Sequence, residues 1–305
     1  MKIFVTGGAG FIGSHITDSL IEDGHKVSVI DDLSTGKRSH IHPKAKFYHL
    51  DIRDKRLNEV FSQERPSIVC HHAAQINVRK SVEDPIFDAN INILGTLHLL
   101  KLSLTHGVKK IIFASTGGAI YGEQDYFPAD ENHPTRPLSP YGVTKLAVEN
   151  YLYYYQQVYG LDYVILRYAN VYGPRQDPYG EAGVVAIFAQ SMLSGKSPII
   201  NGDGKQTRDF VNVSDVAAAN VAALNFTGSN IFNIGTGIET SINELFQQIK
   251  KFTKAKIKEN HGSAKKGEQI RSVITPQKAI NALNWTPQIS LSDGLKKTVE
   301  YFSSG

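Results

Sequence analysis

The sequence contains one cysteine, one tryptophan and two methionines among 305 residues, and it has no long apolar run. The single cysteine, Cys70, excludes an internal disulfide framework and a zinc or iron–sulfur site built from several cysteines. No apolar run approaches the roughly 18 residues of a membrane-spanning helix. The amino-terminal apolar stretch breaks into glycines at Gly7, unlike a signal peptide. These absences predict a cytoplasmic protein with no membrane association and no metal site.

The sequence also lacks a large excess of positive or negative charge. The 33 Lys+Arg and 29 Asp+Glu residues give a formal charge of +4. Seven lysines lie between Lys250 and Lys266, opposed only by Glu259, so that segment carries +6 and the other residues sum to −2. The protein therefore has no global basic field for nucleic acid, and the lysine-rich segment is most simply a solvated face.

Short apolar runs alternate with longer amphipathic stretches through the first half of the chain. This alternation predicts an α/β fold with a doubly wound parallel (Rossmann) sheet. The strand candidates are Lys2–Thr6, Lys26–Ile30, Lys46–Leu50, Ser67–His71, Lys109–Ser115, Asp162–Arg167 and Asn230–Ile234. The helix candidates include Asp54–Gln63, Pro85–Thr105, Tyr141–Tyr159 and Val184–Leu193.

The pattern loosens after Asn170, which predicts a division of the chain into two domains. Residues 1–170, joined by about 208–235, form the expected cofactor domain. Residues 171–207 and 236–305 form a smaller carboxy-terminal α/β substrate-binding domain. We expect a tight seam between the two rather than a hinge, because no flexible linker separates them.

A glycine-rich loop stands directly between the first strand and the first helix. Gly7, Gly10 and Gly13 allow a tight turn, close approach of the backbone to a pyrophosphate, and packing of the helix on the sheet. Asp31 closes the second strand 18 residues past Gly13, where a carboxylate can accept hydrogen bonds from a ribose. Since Asp31 would repel a 2′-phosphate, the pattern favours NAD over NADP.

Tyr141 and Lys145 are four residues apart in a predicted helix, so both side chains project from one face. A tyrosine base at neutral pH needs its pKa lowered by about three units from its usual value near 10. A lysine ammonium ~6 Å away supplies roughly two units, and a positive nicotinamide ring supplies the rest. Such pairs also occur by chance. Here the pair follows a dinucleotide fold and a strand that ends in Ser115-Thr116, which makes it the leading catalytic hypothesis.

Motifs along nearly the whole chain resemble the extended short-chain dehydrogenase/reductases. They are TGGAGFIG (6–13), DDLSTG (31–36), LDIRD (50–54), HHAAQ (71–75), SPYGVTK (139–145), RYANVYGP (167–174) and TRDFVNVSDV (207–216). Within the NAD-dependent epimerase/dehydratase group, the sequence looks closest to the UDP-glucose 4-epimerases. The resemblance implies NAD as a tightly bound cofactor and a UDP-sugar as substrate.

The resemblance carries site residues over to this chain. The implied cofactor contacts are Gly7, Gly10, Phe11, Ile12, Gly13, Asp31, Asp32, Ser34, Thr35, Gly36, Asp51, Ile52, Ala73, Ala74, Gln75, Asn92, Ser115, Tyr141, Lys145 and Tyr168. The implied substrate contacts are Thr116, Tyr141, Asn170, Gly183, Val184, Val185, Arg208, Lys265, Glu268 and Ser272. The implied catalytic residues are Tyr141, Lys145 and Thr116, with Ser115 in reserve because a one-residue insertion near Gly117 blurs the alignment.

Three positions depart from the epimerase pattern. Lys265 stands where an arginine is usual, and Gly183 where an asparagine is common, so the contacts to UDP may differ in kind. Ser272 stands where many epimerases have a bulky tyrosine beside the sugar C2. A small residue there leaves room for an N-acetyl group, so UDP-GlcNAc and UDP-GalNAc are candidate substrates besides UDP-glucose and UDP-galactose.

The expected reaction is 4-epimerisation through a 4-keto sugar. Related dehydratases carry Asp-Glu directly after the threonine, but Gly117 and Gly118 stand here, and a side chain that cannot exchange protons cannot drive elimination. Two alternatives remain open. One is a nucleotide-sugar 4-keto reductase or dehydrogenase that consumes its nicotinamide. The other is a non-catalytic dinucleotide sensor, which the retained Tyr141, Lys145 and Thr116 disfavour.

Two further patterns have structural interpretations. Cys70, His71 and His72 are neighbours in a strand and point to alternate faces, so they predict strand-end residues beside the cofactor cleft rather than a metal site. A run of tyrosines follows the proposed catalytic residues at helical spacing, which is typical of core and subunit interface: Tyr151, Tyr153, Tyr154, Tyr155 and Tyr159. The family pairs this helix and the 85–105 helix with their copies, which implies a homodimer through a four-helix bundle.

Overall fold

Thirteen strands and twelve α-helices are assigned in the residues that the structure, a computed structural model, describes: 1–179, 183–265 and 269–304. In chain order the strands are β1 (Lys2–Thr6), β2 (Lys26–Asp31), β3 (Lys46–His49), β4 (Ile68–His71), β5 (Lys110–Thr116), β6 (Asp162–Tyr168), β7 (Asn170–Tyr172), β8 (Ile199–Asn201), β9 (Thr207–Asn212), β10 (Asn230–Ile234), β11 (Glu239–Ser241), β12 (Asn260–Gly262) and β13 (Arg271–Ser272). The helices are α1 (Phe11–Glu22), α2 (Leu57–Glu64), α3 (Val78–Glu83), α4 (Pro85–Ala89), α5 (Thr96–Thr105), α6 (Gly117–Ile120), α7 (Pro140–Tyr159), α8 (Val184–Leu193), α9 (Val213–Asn225), α10 (Ile242–Thr253), α11 (Gln277–Leu283) and α12 (Leu291–Ser303).

Seven strands form one parallel sheet in the order β10-β6-β5-β4-β1-β2-β3. The chain builds outward from β1 through β2 to β3, and then restarts at β4 on the other side. In such sheets a crevice opens beyond the carboxyl ends of the strands at the point of reversal, and ligands bind there. Thr6 and His71 end β1 and β4 and mark this point. The predicted doubly wound parallel sheet is confirmed.

Helices cover both faces of this sheet, which explains why its strands read as continuous apolar runs. All four residues of β4 are buried, as are the first six of β5. On one face α1 and α9 pack with Ile16 and Val216 in their core. On the other face α2, α5 and α7 contribute Phe61, Leu99 and Val148.

The helix predicted over Pro85–Thr105 is continuous but not regular. α4 leads into a π-helical segment at Asn90–Gly95, and α5 follows directly. Gly95 lies where a Cβ would come within 2.7 Å of Ile52 Cδ1, and the Asn92 side chain is engaged with Gln75. The π-helical segment therefore coincides with contacts to distant parts of the chain, and helical periodicity alone could not predict this segment. The short helices α3 and α6 were not predicted either.

The carboxy-terminal part builds a second, smaller core. β11, β9 and β13 form a sheet with β7 on β9, and β12 pairs with β8. α8, α10 and α12 pack around Phe188, Phe246 and Leu295. Within segment 208–235, β9 belongs to this small sheet, whereas α9 packs on α1 and β10 joins the large sheet. The division into two domains stays our interpretation. No helix among the described residues is long and apolar enough to cross a membrane.

Candidate active site

The glycine loop at the end of β1 has a shape that only glycine permits. Gly7 has φ +70°, and a Cβ there would lie 2.7 Å from the Ala73 nitrogen. A Cβ on Gly13 would lie 2.2 Å from the Gly7 carbonyl oxygen. Gly10 precedes α1 in extended conformation without a side-chain cap, so the first N–H groups of the helix are not capped by that residue. The loop fits the pyrophosphate of a dinucleotide.

Asp31 lies against this loop, at the carboxyl end of β2. Its Oδ2 accepts from the Ala9 N–H at 3.0 Å, and its Oδ1 accepts from the Leu33 N–H at 2.8 Å. Burial raises the pKa of this carboxyl. Asp31 therefore braces the glycine loop in addition to standing where a ribose hydroxyl would be expected. Each of its oxygens keeps a lone pair for that contact.

Residues 32–36, which follow Asp31, form one edge of the cofactor cleft, here called its lip. Asp32 accepts hydrogen bonds from the Ser34 N–H at 2.9 Å and the Ser34 hydroxyl at 2.6 Å. Thr35 is exposed, and a Cβ on Gly36 would lie 2.9 Å from the Ala9 Cβ, so this lip packs directly on the glycine loop. The structure brings Asp31, Asp32, Ser34, Thr35 and Gly36 together beside the loop.

Asp51 and Ile52, the expected adenine neighbours, follow β3. The carboxylate of Asp51 accepts from Arg53 Nε at 2.9 Å, and this interaction lowers the pKa of Asp51. Ile52 is buried against Gly95. Any contact of the Asp51 carboxylate with an adenine amine would thus be shared with Arg53.

The wall opposite the glycine loop is built after β4. Thr6 Oγ1 accepts from the Ala73 N–H at 3.2 Å. The Gln75 N–H donates to Asn92 Oδ1 at 2.9 Å, and Asn92 Nδ2 donates back to the Gln75 carbonyl at 2.9 Å. Ala74 lies between these two anchored residues. The wall is therefore held from both ends, with Asn92 behind it.

Tyr141 and Lys145 lie on the first turns of α7, which Ser139 caps by accepting from the Gly142 N–H at 3.2 Å. Lys145 Nζ donates to the Ala114 carbonyl at 2.8 Å and lies 5.9 Å from the centroid of the Tyr141 ring. Burial lowers the pKa of Lys145 to about 8. Burial also raises the pKa of Tyr141. The spacing expected from the sequence is present, but the protein alone favours the neutral phenol.

Thr116 and Ser115, consecutive at the end of β5, are separated by the structure. Thr116 Oγ1 accepts from the Ala119 N–H at 3.1 Å and begins α6, which leaves its hydroxyl proton available to a ligand. Ser115 is buried and donates to Glu149 Oε1 at 2.6 Å. The two hydroxyls differ because consecutive strand residues point to opposite faces, and a cofactor contact of Ser115 stays a prediction. The geometry favours Thr116.

Tyr168, which the sequence places beside the cofactor, is anchored within the protein, and its cofactor contact stays a prediction. Its side chain is buried, its hydroxyl accepts from Asn220 Nδ2 at 2.9 Å, and the same hydroxyl bonds His72 Nε2 at 2.9 Å. Tyr168 thus ties β6 to α9 and β4.

Two of the expected substrate residues, Asn170 and Arg208, belong to strands of the small sheet. Asn170 begins β7, and Gly118 lies where a Cβ would come no closer than 3.9 Å to Asn170 Oδ1. Arg208 on β9 is in register with Ser272 on β13. The carboxylate of the neighbouring Asp209 accepts from the Thr236 N–H at 2.9 Å.

The remaining expected substrate residues are placed unevenly. Gly183 caps α8, and Val184 is half-buried at its first position. Val185 is buried in the small core, and a substrate contact at this position stays a prediction. Lys265 is exposed, and Glu268 lies outside the described residues.

Sequence reasoning missed several buried polar groups beneath the pair. Glu149, one turn beyond Lys145, forms a buried ion pair with Arg167 at 2.6 Å. Asp88 on α4 accepts from Thr144 Oγ1 at 2.8 Å. The i, i+4 spacing of Lys145 and Glu149 could have indicated that Glu149 lies near the pair. Among the described residues, no group of three or more His, Cys, Asp or Glu could hold a metal ion.

The reversal of strand order, the glycine cradle and the Tyr141–Lys145 pair define a dinucleotide-binding protein with a phenol poised beside the cofactor cleft. The chain belongs to the NAD-dependent epimerase/dehydratase family, whose family model matches residues 3–235. It is 52% identical, over 99% of its length and 98% of the relative's, to a putative UDP-glucose 4-epimerase of Methanocaldococcus jannaschii.

Solved structures show the same relationship. A UDP-glucose 4-epimerase from Thermotoga maritima with UDP-glucose is 50% identical, with a TM-score of 0.98 and coverage of 100% of this chain and 99% of that one. One from Thermus thermophilus in complex with NAD is 44% identical, with a TM-score of 0.94 and 99% coverage of both chains. A UDP-N-acetylglucosamine 4-epimerase from Methanobrevibacter ruminantium, in complex with UDP-N-acetylmuramic acid, is 35% identical, with a TM-score of 0.93 and coverage of 99% and 98%.

Proposed function

We propose that this chain is an NAD-dependent UDP-hexose 4-epimerase, an isomerase that interconverts UDP-glucose and UDP-galactose through a 4-keto sugar. The observation that carries the proposal is the convergence of Tyr141, Lys145 and Thr116 beside the glycine cradle, at the carboxyl end of the parallel sheet. The similar proteins named UDP-glucose 4-epimerases span almost the whole chain and support the same assignment.

The residues present fit NAD. Gly7, Gly10 and Gly13 leave the backbone open to a pyrophosphate, and Asp31 offers lone pairs to a ribose. When bound, NAD would supply reversible hydride transfer at C4 of the sugar. The protein's contribution is to hold the sugar and to manage the proton of its 4-hydroxyl.

Tyr141 is the proposed acceptor of that proton, at its phenol oxygen. Since burial raises the pKa of Tyr141, positive charge must favour the phenolate. Lys145, whose Nζ lies 5.9 Å from the centroid of the ring, supplies part of this charge, and a bound nicotinamide would supply the remainder. Thr116, whose oxygen already accepts from Ala119, donates its own hydrogen to the reacting oxygen and aligns it.

Elimination of water is disfavoured by the same site. Gly117 and Gly118 carry no acid or base next to Thr116, and Glu123, the next carboxylate along the chain, is exposed. The proposal therefore excludes a 4,6-dehydratase. A nucleotide-sugar 4-keto reductase remains the alternative, and it differs in consuming nicotinamide stoichiometrically.

We also propose that N-acetylhexosamines are accepted. Ser272 lies beside Arg208 in the β13–β9 pair, where a small side chain leaves room next to the sugar. The similarity to a UDP-N-acetylglucosamine 4-epimerase supports this extension. Ser272→Tyr should abolish turnover of UDP-GalNAc and preserve turnover of UDP-galactose; equal loss of both would contradict the proposal.

A homodimer through a four-helix contact is proposed as the assembly. Large apolar side chains stand exposed on the adjoining helices of the 78–95 segment and α7, as expected of a covered surface. They are Val82, Ile86, Leu94, Val143, Tyr151, Tyr154 and Val158. Light scattering should give twice the chain mass, and Ile86→Asp should give a monomer. A monomeric wild type would refute this assembly.

The test of the activity uses purified protein, UDP-galactose and no added cofactor. We expect conversion to UDP-glucose, release of NAD on denaturation, and loss of conversion in Tyr141→Phe. Tyr301→Phe, which removes a hydroxyl from an exposed tyrosine on α12, is the matched control and should remain active. No conversion of UDP-galactose, with NADH consumed mole for mole when a UDP-4-keto-hexose is supplied, would establish the reductase instead.

A further inference from the structure

A fully buried carboxylate, Asp88, lies between the cofactor wall and the helix that carries the reactive pair. Its Oδ1 accepts from Gln75 Nε2 at 2.8 Å and from Asn92 Nδ2 at 3.1 Å. Its Oδ2 accepts from Thr144 Oγ1 at 2.8 Å. The two amide partners donate to Oδ1, and the Thr144 hydroxyl lies at hydrogen-bond distance from both Oδ2 and the Tyr141 carbonyl, at 2.9 Å from the latter. An amide at this position would turn its own donors toward Thr144 in one orientation and toward Gln75 and Asn92 in the other.

These hydrogen bonds connect Asp88 to both sides of the site. Gln75 and Asn92 form the wall opposite the glycine loop, and Thr144 lies between Tyr141 and Lys145 on α7. Thr144 is the residue directly before Lys145, so a movement of the Asp88 carboxylate would be transmitted to the first turns of α7.

The charge of Asp88 acts on the same pair. Asp88 on α4 faces both Tyr141 and Lys145, and Glu149 on α7 faces Lys145. His71 at the end of β4 and His72 directly after it also face Lys145. Both histidines have lowered pKa values because of burial first and Lys145 second, so they are neutral at neutral pH.

Glu149 and Asp88 differ in whether a positively charged side chain forms an ion pair with them. Glu149 is neutralised by Arg167, which lies 2.6 Å away on β6. Asp88 forms no ion pair within the described ranges, so its negative charge is felt by Lys145 and Tyr141. Burial lowers the pKa of Lys145 to about 8, and Asp88 is the first group to oppose that shift. Burial raises the pKa of Tyr141, and Asp88 adds to that shift.

We propose that Asp88 is a positioning residue that sets the protonation balance of the Tyr141–Lys145 pair, by holding the ammonium of Lys145 charged and by delaying ionisation of Tyr141 until a positively charged cofactor is present. The inference rests on the proposed function only in taking Tyr141 as the proton acceptor. Asp88 touches neither sugar nor cofactor in this scheme; it acts through Thr144, Lys145 and Tyr141.

The experiment compares the NAD-loaded wild type with Asp88→Asn. Ionisation of Tyr141 is followed by ultraviolet difference absorbance, with Tyr141→Phe in each background subtracting the other 13 of the chain's 14 tyrosines. Removing one negative charge from a buried site near the pair should lower the Tyr141 pKa by about one unit. Both limbs of the kcat–pH profile should move to lower pH by the same amount, because the pKa of Lys145 falls as well.

Asp84→Asn is the matched control. It removes a carboxylate from the same helix end, where Asp84 is exposed and accepts from the Phe87 N–H at 2.9 Å. It should keep the helix cap, because an asparagine oxygen also accepts from the Phe87 N–H, and it should leave the Tyr141 titration in place. A merely structural role of Asp88 would lower kcat without moving the titration, and an unshifted Tyr141 pKa in Asp88→Asn overturns the proposal. Absence of epimerase activity in the wild type would refute the proposed function but leave this titration readable.

Thr144→Val serves where Asp88→Asn does not fold. It keeps the carboxylate charge and removes one donor at constant shape. We expect kcat to fall about tenfold through the lost hydrogen bond, with the pH profile unmoved. Unchanged kcat in Thr144→Val would show that Asp88 does not act through α7, and would overturn the proposed route.

Discussion

The glycine loop offers the sharpest test of the cofactor site, through Gly13→Ala. The added Cβ would lie 2.2 Å from the Gly7 oxygen and 2.8 Å from the Gly7 carbon. Non-bonded atoms attract at about 3.5 Å, and the obstructing atoms are backbone, so α1 and the loop must separate by about 1 Å. Overpacking of this kind costs about 1–3 kcal/mol. If the bound state bears this strain, NAD binding weakens about 5- to 150-fold.

Gly10→Ala provides a graded comparison in the same loop. Its Cβ would meet only the Gly7 oxygen, at 3.2 Å, and its φ is already negative. NAD affinity is measured by calorimetric titration of protein freed of cofactor. We expect the order wild type, then Gly10→Ala, then Gly13→Ala. Equal affinity of Gly13→Ala and the wild type would refute the assignment of this loop to the pyrophosphate.

Three further outcomes follow from the packing and charges around the pair. Glu149→Gln leaves Arg167 buried without its partner and should destabilise the protein by about 3–5 kcal/mol, read as a lower urea midpoint. Folding lowers the pKa of Lys145 from 10.5 to about 8, so between these pH values the folded protein binds fewer protons than the unfolded chain. The free energy of unfolding should therefore rise from about pH 8 to 10.5 in the wild type relative to Lys145→Met. A parallel pH dependence in both proteins would argue against the shift. Gly118→Ala should fold normally and raise KM for the UDP-sugar, whereas Gly117→Ala should destabilise the fold by about 1–3 kcal/mol, because its Cβ would come within 2.7 Å of a buried isoleucine.

Short apolar runs alternating with amphipathic stretches of period 3.6 predicted the large sheet well. β1 and β10 begin and end at the predicted residues, and α8 does too, because each is an apolar run bounded by turn residues. The Tyr141–Lys145 spacing needed only helical geometry. The cofactor and substrate contacts of individual residues stay predictions.

Other features depend on contacts between distant segments, which no local pattern contains. The π-helical segment at Asn90–Gly95 lies against Ile52 and Gln75, from two other parts of the chain. Ser115 and Thr116 carry adjacent hydroxyls. Only the position of Glu149 shows that the Ser115 hydroxyl is hydrogen-bonded within the core. Asp88 looks like an ordinary helix acid until α7 is packed over it.

The charges around Tyr141 can be understood from what a 4-epimerase requires. The proton taken from the 4-hydroxyl has to be returned at the end of the same cycle, so the phenol must act as base and then as acid. A phenolate stabilised too strongly would be slow to return the proton, and one stabilised too weakly would be slow to take it. Lys145 favours the phenolate, whereas burial and Asp88 oppose it. The opposition of these groups keeps the two half-reactions close in energy, which is why loss of Asp88 should move the pH profile rather than merely lower it.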